Sequence, residues 1–390
     1  MMTTGWGMSL DVGAKTADAV RVLRRDRSGL ERSGPERSGT ERSGPVGVAV
    51  IGAGYWGPNL IRNALQSPAT RLLAVVDRDP GRAERVAGGY AGVSTGSDLA
   101  AVLADPQIEA VAIATPAASH VGVARAAIEA GKHVLVEKPL AASYAEGLTL
   151  VRAAEQHGVV LMCDHTYCYT PAVQRIRELV LGGELGEIHF VDSVRINLGL
   201  VQPDVNVFWD LAPHDLSILD HILPGGLRPL AVSAQGADPI GAGQACVGYL
   251  TLHLPDGSIA HVHVNWLSPV KVRTTTIGGS RRTLVWDDLN PSQRISLYDR
   301  GVDLADPAAI DVDDRKQAIV SYRSGDMIAP ALPEHEALQA VMSEFADCIR
   351  TGRNPVTDGW SGLRVLDILE AASRSYRFAG SVVPLRGGER

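Results

Sequence analysis

Three sets of residues in this 390-residue chain have the types and spacing to do chemistry together. The first is Gly52-Ala53-Gly54-Tyr55-Trp56-Gly57, a G-x-G-x-x-G run. The second is Lys138, within Glu137-Lys138-Pro139, and the third is Asp210-Leu211-Ala212-Pro213-His214. In such a run the glycines have separate tasks. Gly52 permits a tight turn, Gly54 lets backbone approach a pyrophosphate, and Gly57 lets a helix pack closely on a strand. The N–H groups that open the helix direct a partial positive charge at the phosphates. A lysine can hydrogen-bond a hydroxyl or carbonyl and stabilise developing oxyanion character. A carboxylate–imidazole pair is a reasonable general base for oxidising a hydroxyl, and the acid of the reverse reduction.

These residues imply a nicotinamide dinucleotide. Asp77 lies 20 residues after Gly57, where a carboxylate accepts hydrogen bonds from ribose hydroxyls and repels a 2′-phosphate. That favours NAD over NADP, although neighbouring Arg78 could pair with such a phosphate. Thr115 and Pro116, which follow another strand in one cluster with His120, shape the nicotinamide side together with Pro139. The expected cofactor contacts are Gly52, Gly54, Tyr55, Trp56, Gly57, Asp77, Arg78, Thr115, Pro116, His120, Glu137 and Lys138. The expected catalytic set is Lys138, His214 and Asp210. Pro213 suits the first position of a helix, which puts His214 in its first turn. There the helix N-terminus disfavours imidazolium, and Asp210 is near enough to orient the ring.

The elements that must position this chemistry follow from apolar patterning. Short apolar runs at 46–52, 72–77, 110–116, 133–139 and 159–165 alternate with helical stretches at 57–66, 81–90, 120–131 and 143–158. This rhythm predicts a doubly wound parallel sheet. After about residue 187 a succession of strands predicts a largely antiparallel sheet, interrupted by a helix near 212–223. Amphipathic helices near 334–351 and 361–379 close the chain. The expected domains are a low-complexity extension (1–45), a dinucleotide-binding domain (46–166) and an α+β domain for substrate and oligomerisation (167–390). Residues 26–45 repeat DRSGL, ERSGP, ERSGT and ERSGP, with almost nothing to bury, and are expected to be disordered.

Composition narrows the partners. The net charge of −7 gives no support for nucleic acid or an anionic membrane as the main partner. No apolar run approaches the roughly 20 residues that span a bilayer, and no secretory signal is visible. Cys163, Cys168, Cys246 and Cys348 form no CxxC pair and read as buried, reduced thiols of a cytoplasmic protein. No metal is expected. His165 and His221 lack ligand spacing, and His261-Val262-His263 reads as the polar face of a strand.

The segments VIGAGYWGPNLIRN, VEKPLA, DHTYCYTPAVQRIRELV, RINLGLVQPDVNVFWDLAPHDLSIL and NWLSPVKVR together resemble the glucose–fructose oxidoreductase/inositol dehydrogenase family, Gfo/Idh/MocA. The resemblance covers about residues 46–380 and is greatest to its nucleotide-sugar branch. It implies a Rossmann domain followed by a domain with a large, open, mostly antiparallel sheet, and homodimers or homotetramers joined through that sheet. It also implies hydride transfer between a nicotinamide and a sugar or nucleotide-sugar carbon, as in 3-dehydrogenases of UDP-linked N-acetylaminosugar uronates. The alternatives are an NADP-dependent sugar 3-ketoreductase of a deoxysugar or antibiotic pathway, and a non-catalytic sugar sensor. By position it assigns the active-site lysine to Lys138 and the Asp-x-x-x-His pair to Asp210 and His214. It places His165, Tyr169, Arg195, Asn197 and Asn206 on the substrate side.

Overall fold

The computed structural model describes residues 44–202, 205–304 and 320–386. The expectation of disorder for the repeat falls, apart from Gly44 and Pro45, outside the described residues. Strand β1 (Val46–Ile51) is VGVAVI with all six residues buried, as a strand covered on both faces requires. It pairs in parallel with β2 (Thr70–Val76) and β4 (Ala110–Ile113). Parallel pairing continues from β2 to β3 (Ser94–Gly96), from β4 to β5 (His133–Glu137), and from β5 to β6 (Leu161–Asp164). The spatial order β3-β2-β1-β4-β5-β6 reverses between β1 and β4. A ligand crevice opens at the carboxyl ends of strands at such a switch point.

Helices α1 (Gly57–Gln66), α2 (Pro80–Ala87), α3 (Leu99–Ala104), α4 (Ala117–Glu129) and α5 (Tyr144–His157) make the crossovers. Asp79, Asp98 and Ser143 cap α2, α3 and α5 with their side chains, satisfying N–H groups that would otherwise lack partners. Helices α1 and α4 differ. Trp56 and Pro116 stand at their N-caps and supply no side-chain acceptor. These are the two helices that begin at the switch point, so their first turns are open toward a ligand.

A 3₁₀ turn (Thr166–Tyr169) and helix α6 (Pro171–Leu181) lead into a nine-stranded sheet, counted among the described residues. Its strands are β7 (Ile188–Leu198), β8 (Ala231–Ala237), β9 (Val247–His253), β10 (Ile259–Asn265), β11 (Leu267–Gly279), β12 (Thr283–Asp287), β13 (Ile295–Leu304), β14 (Val320–Ile328) and β15 (Val383–Pro384). All neighbours run antiparallel except β7 and β10. Helices α6, α7 (Val207–Ile222) and α9 (Gly359–Arg377) supply residues to the core packed on one face. Elsewhere on the sheet Tyr249 stacks on His263 at 4.4 Å and lies 6.0 Å from His261. No described helix is long and apolar enough to cross a membrane.

The expected boundary at 166/167 does not separate two cores. Helix α8 (Ala337–Thr351) buries Leu338, Val341, Met342, Phe345 and Ile349 among residues of β1, α1 and β2. Arg350 fixes it there with a bidentate contact to Glu109, at 2.8 and 2.9 Å. Helix α9 places Leu363 and Leu366 against the other face of the first sheet and Ile368 and Leu369 in the second core. The chain therefore returns to the dinucleotide-type domain after building the second sheet.

Candidate active site

Lys138, at the end of β5, reaches across to α7. Its Nζ donates to the Asp210 carbonyl oxygen at 2.9 Å and approaches Asp210 Oδ1 at 3.4 Å. The cleft between these elements has a volume of about 890 Å³. It is lined by Lys138, Asp210 and His214, and also by Gly52, Gly54, Tyr55, Trp56, Asp77, Arg78, Thr115, Pro116 and Glu137. One crevice thus brings together the glycine loop and the three residues expected to do chemistry.

The glycine loop fits a dinucleotide for reasons that the backbone displays. Gly52 has φ +100°, and a Cβ there would meet the Ala114 carbonyl oxygen at 2.7 Å. At Gly57 a Cβ would meet the Gly52 carbonyl oxygen at 2.3 Å, so this glycine lets α1 close onto β1 and lies behind the cleft. At Gly54 a Cβ would meet nothing within 4 Å, which leaves open space where phosphates would approach. The first turn of α1 carries no acidic residue to oppose an anion. Asp77 accepts from the Ala53 N–H at 2.8 Å and the Asp79 N–H at 2.9 Å, tying the loop to the end of β2. Burial works against the ionised form of Asp77. The two N–H donors, with Arg82 and Arg78, outweigh it and hold the carboxyl below its ordinary value.

The catalytic trio is arranged differently from expectation. Helix α7 starts at Val207, because Asn206 Oδ1 accepts from the N–H groups of Phe208 and Trp209. Pro213 is consequently interior to the helix, and His214 is not in its first turn. The helix N-terminus is not what lowers the His214 pKa. Burial does so first, followed by the positive charges of Lys138 and Arg195, then His165 and Arg273, and the value falls well below that of an ordinary histidine. Asp210 does not orient His214 by a hydrogen bond. Its Oδ2 accepts from Trp266 Nε1 at 2.9 Å, and it otherwise serves Lys138. The His214 ring instead meets Tyr167 edge-on, with centroids 5.1 Å apart and an interplanar angle of 68°.

Several expected contacts are held away from the cleft. His120 is 1% exposed, and its ring nitrogens lie 2.9 Å from the Pro139 carbonyl oxygen and 2.8 Å from that of Thr115. It ties together the loops that follow β4 and β5 and does not line the crevice. Tyr169 is buried, with its hydroxyl 3.0 Å from Thr357 Oγ1. Asn206 is occupied as the α7 cap. Arg195 is buried in a two-bond contact with Asp215, and Asn197 lies on β7 outside the cleft lining. His165 is buried and neither ring nitrogen has a hydrogen-bond partner among the described residues. Burial pushes its pKa down to about 4.

The cleft also contains residues that the sequence analysis did not select. Tyr167 and Arg273 line it and touch each other, Arg273 Nη1 donating to the Tyr167 hydroxyl at 2.5 Å. Asp164 lines it beside Glu137, its register partner across β5 and β6. Burial and the neighbouring Asp164 carboxyl raise the Glu137 pKa well above its ordinary value, and burial raises that of Asp164. A proton held by this pair avoids two adjacent negative charges in the cleft wall. Among the described residues, no group of His, Cys, Asp or Glu is arranged to hold a metal ion.

A family model described as oxidoreductase family, NAD-binding Rossmann fold, matches residues 46–165, and the GFO/IDH/MocA C-terminal domain matches residues 173–285. The chain belongs to the Gfo/Idh/MocA oxidoreductases. It is 28% identical over 320 residues to UDP-N-acetylglucosamine 3-dehydrogenase of Acidithiobacillus ferrooxidans, covering 81% of this chain and 93% of that protein. A solved structure of that dehydrogenase matches with a TM-score of 0.70 at 26% identity, covering 85% of this chain and 97% of the other. GenD2 from gentamicin A biosynthesis, in complex with NAD, matches with a TM-score of 0.72 at 26% identity, covering 92% of this chain and 100% of that one. For a Gfo/Idh/MocA oxidoreductase, a crevice that joins the glycine loop to Lys138 and His214 is the candidate active site.

Proposed function

We propose that this oxidoreductase acts on a secondary hydroxyl or ketone carbon of a sugar or nucleotide-sugar, with NAD as cofactor. The observation that carries this reading is the shared cleft: Lys138 and His214 face the same crevice as the glycine loop and Asp77. The name of one relative above, a UDP-N-acetylglucosamine 3-dehydrogenase, supports a sugar-ring hydroxyl, and the NAD complex of GenD2 supports the cofactor. The Gly52–Gly57 loop and the first turn of α1 would hold the pyrophosphate, and Asp77 the ribose hydroxyls. Thr115 and Pro116 would border the nicotinamide. When bound, the dinucleotide supplies the hydride acceptor for oxidation, or the donor for reduction.

The chain's own residues handle the proton. His214 is neutral at ordinary pH, so it has a lone pair to accept the hydroxyl proton as the carbonyl forms. Lys138 has three N–H donors, and two are directed at Asp210. The third is available to the substrate oxygen, where it stabilises negative charge before the carbonyl is complete. A sensor without chemistry would have no need of a lysine and an un-ionised imidazole in one cleft.

The test is net NADH formation from NAD and a panel of sugars and nucleotide-sugars, followed across pH. A protonated His214 cannot take the proton, so kcat/KM in the oxidation direction falls as pH drops through its pKa. That pKa is held well below the ordinary histidine value of about 6.5. Activity is therefore expected to persist unchanged to below about pH 6.5 before the acid limb begins. Absence of NADH with every substrate, or an acid limb centred above neutrality, would count against the reading. Cofactor choice is tested separately at Asp77. Asp77→Ser is expected to lower kcat/KM for NAD about tenfold or more, since hydrogen bonds to a charged group are lost, and to raise the NADP/NAD ratio. An unchanged ratio would remove Asp77 from cofactor selection.

A further inference from the structure

Trp266 is 1% exposed and does not line the cleft, yet its indole N–H donates to Asp210 Oδ2 at 2.9 Å. It belongs to the NWLSPVKVR segment, to which the proton transfer above gives no role. Strand β10 ends at Asn265 and β11 begins at Leu267, and Asn265 Oδ1 accepts from the Leu267 N–H at 2.6 Å across the residue between them. Trp266 is fixed on both sides of this break. Its backbone N–H donates to the Cys246 carbonyl oxygen at 3.0 Å, and its carbonyl oxygen accepts from the Gly199 N–H at 2.8 Å. A Cβ at Gly199 would stand 3.1 Å from Trp266 Cδ1, so glycine there lets the chain leaving β7 close on the indole.

The other Asp210 oxygen faces Lys138. Of the three lysine N–H donors, one goes to the Asp210 carbonyl oxygen at 2.9 Å and one toward Oδ1 at 3.4 Å. The last torsion of an aspartate side chain is soft and broad, so a carboxylate held at one oxygen alone can turn. With Oδ2 released, the carboxylate can present both oxygens to the ammonium and take the N–H left for the substrate. The indole opposes that turn, because its N–H only donates and its acceptor here is Oδ2. We infer that Trp266 is a positioning residue: by pinning Asp210 Oδ2 it keeps one N–H of Lys138 free for the oxygen at the reacting carbon. The inference rests on the hydride-transfer reading for the task of Lys138, whereas the orientation of the carboxylate can be observed without it.

Two replacements of the full chain test it. Trp266→Phe deletes the N–H and keeps an aromatic ring. Site-specific Trp266→benzothienylalanine puts sulfur in place of the N–H and keeps the shape, so it serves where the phenylalanine variant does not fold. NADH formation is followed from NAD with UDP-N-acetylglucosamine, UDP-glucose, UDP-glucuronate and myo-inositol. With any of these that the wild-type chain oxidises, both variants are expected to lower kcat about tenfold or more, the cost of a small misplacement at a reacting centre, with NADH affinity unchanged. In an Asp210→Ala background the same replacements are expected to change kcat by less than about twofold, because the effect runs through the missing carboxylate. Equal losses in both backgrounds would reveal a purely structural role and overturn the inference, as would an unchanged kcat in the benzothienylalanine variant. Crystal structures of that variant and the wild-type chain give a readout that needs no substrate. The Asp210 carboxylate is expected to turn both oxygens toward Lys138 Nζ, and a carboxylate that keeps its wild-type orientation overturns the inference. A turned carboxylate with no NADH from any of the four sugars would leave the positioning role standing and sink the hydride-transfer reading. NADH formation with an unmoved carboxylate would do the reverse.

Discussion

Lys138→Ala is expected to lower kcat by roughly a hundredfold to a thousandfold while NAD still binds, the effect of deleting one donor aimed at a developing oxyanion. The separation follows from where the groups lie. The loop that would hold the pyrophosphate is anchored by Gly52, Gly57 and the contact of Asp77 with the Ala53 N–H, none of which involves Lys138. Lys138 is anchored on the other wall, at the Asp210 carbonyl and carboxylate. Removing it frees Asp210 of one partner, but Trp266 Nε1 still holds the other oxygen at 2.9 Å. Steady-state turnover together with a titration of NADH fluorescence separates the outcomes. Lost turnover with retained affinity fits a donor to the substrate oxygen. Equal loss of both would show that Lys138 mainly braces the two walls, and Lys138→Arg, which preserves the brace and the charge, should then restore both. Unchanged turnover would remove Lys138 from the chemistry.

Local patterning carried the first domain well. A continuous apolar run such as VGVAVI is compatible with few environments, and the structure buries all of it in a parallel sheet. The glycine spacing was equally informative, because Gly52 and Gly57 occupy positions where any Cβ would strike backbone. Local signals failed where two features competed. Pro213 suits a helix start, but Asn206 provides an acceptor for two N–H groups and sets the start at Val207. The amphipathic face of α8 announced a buried helix without naming its partner, which is the first domain.

Tyr167 and Arg273 were beyond local reasoning for distinct reasons. The resemblance assigns Tyr169 to the substrate side and passes over Tyr167. The 3₁₀ turn sends Tyr169 into the core and leaves Tyr167 at the cleft. Arg273 gains its meaning only from β7–β11 register, which sets it opposite Arg195. A signal did exist in the NWLSPVKVR segment, whose arginine follows several strand residues. Pattern alone could not say which face of the sheet it would occupy.

The same register makes the Arg195–Asp215 pair a second point of large expected effect, here on stability. Both side chains are 3% exposed. Burial opposes the Arg195 charge, and Asp215 more than compensates, raising the pKa above that of an ordinary arginine. Ser193 Oγ adds a hydrogen bond to Asp215 Oδ1 at 2.9 Å and lies 3.1 Å from Thr275 Oγ1. Asp215→Ala would leave a buried guanidinium without its counter-charge, opposite Arg273 and against Tyr167. Breaking one side of such a pair costs about 3–5 kcal/mol, so urea unfolding should show a loss of that size. Replacing both members by apolar residues of similar volume removes the desolvation cost with the attraction. Arg195→Met with Asp215→Leu is therefore expected to recover most of the loss while shifting Tyr167, and with it Arg273. A single variant costing less than about 1 kcal/mol would mean that water reaches Arg195 and that the pair is not the buried brace described. A double variant as unstable as the single one would place the cost in the hydrogen bonds of Ser193 and Thr275, with the charges secondary.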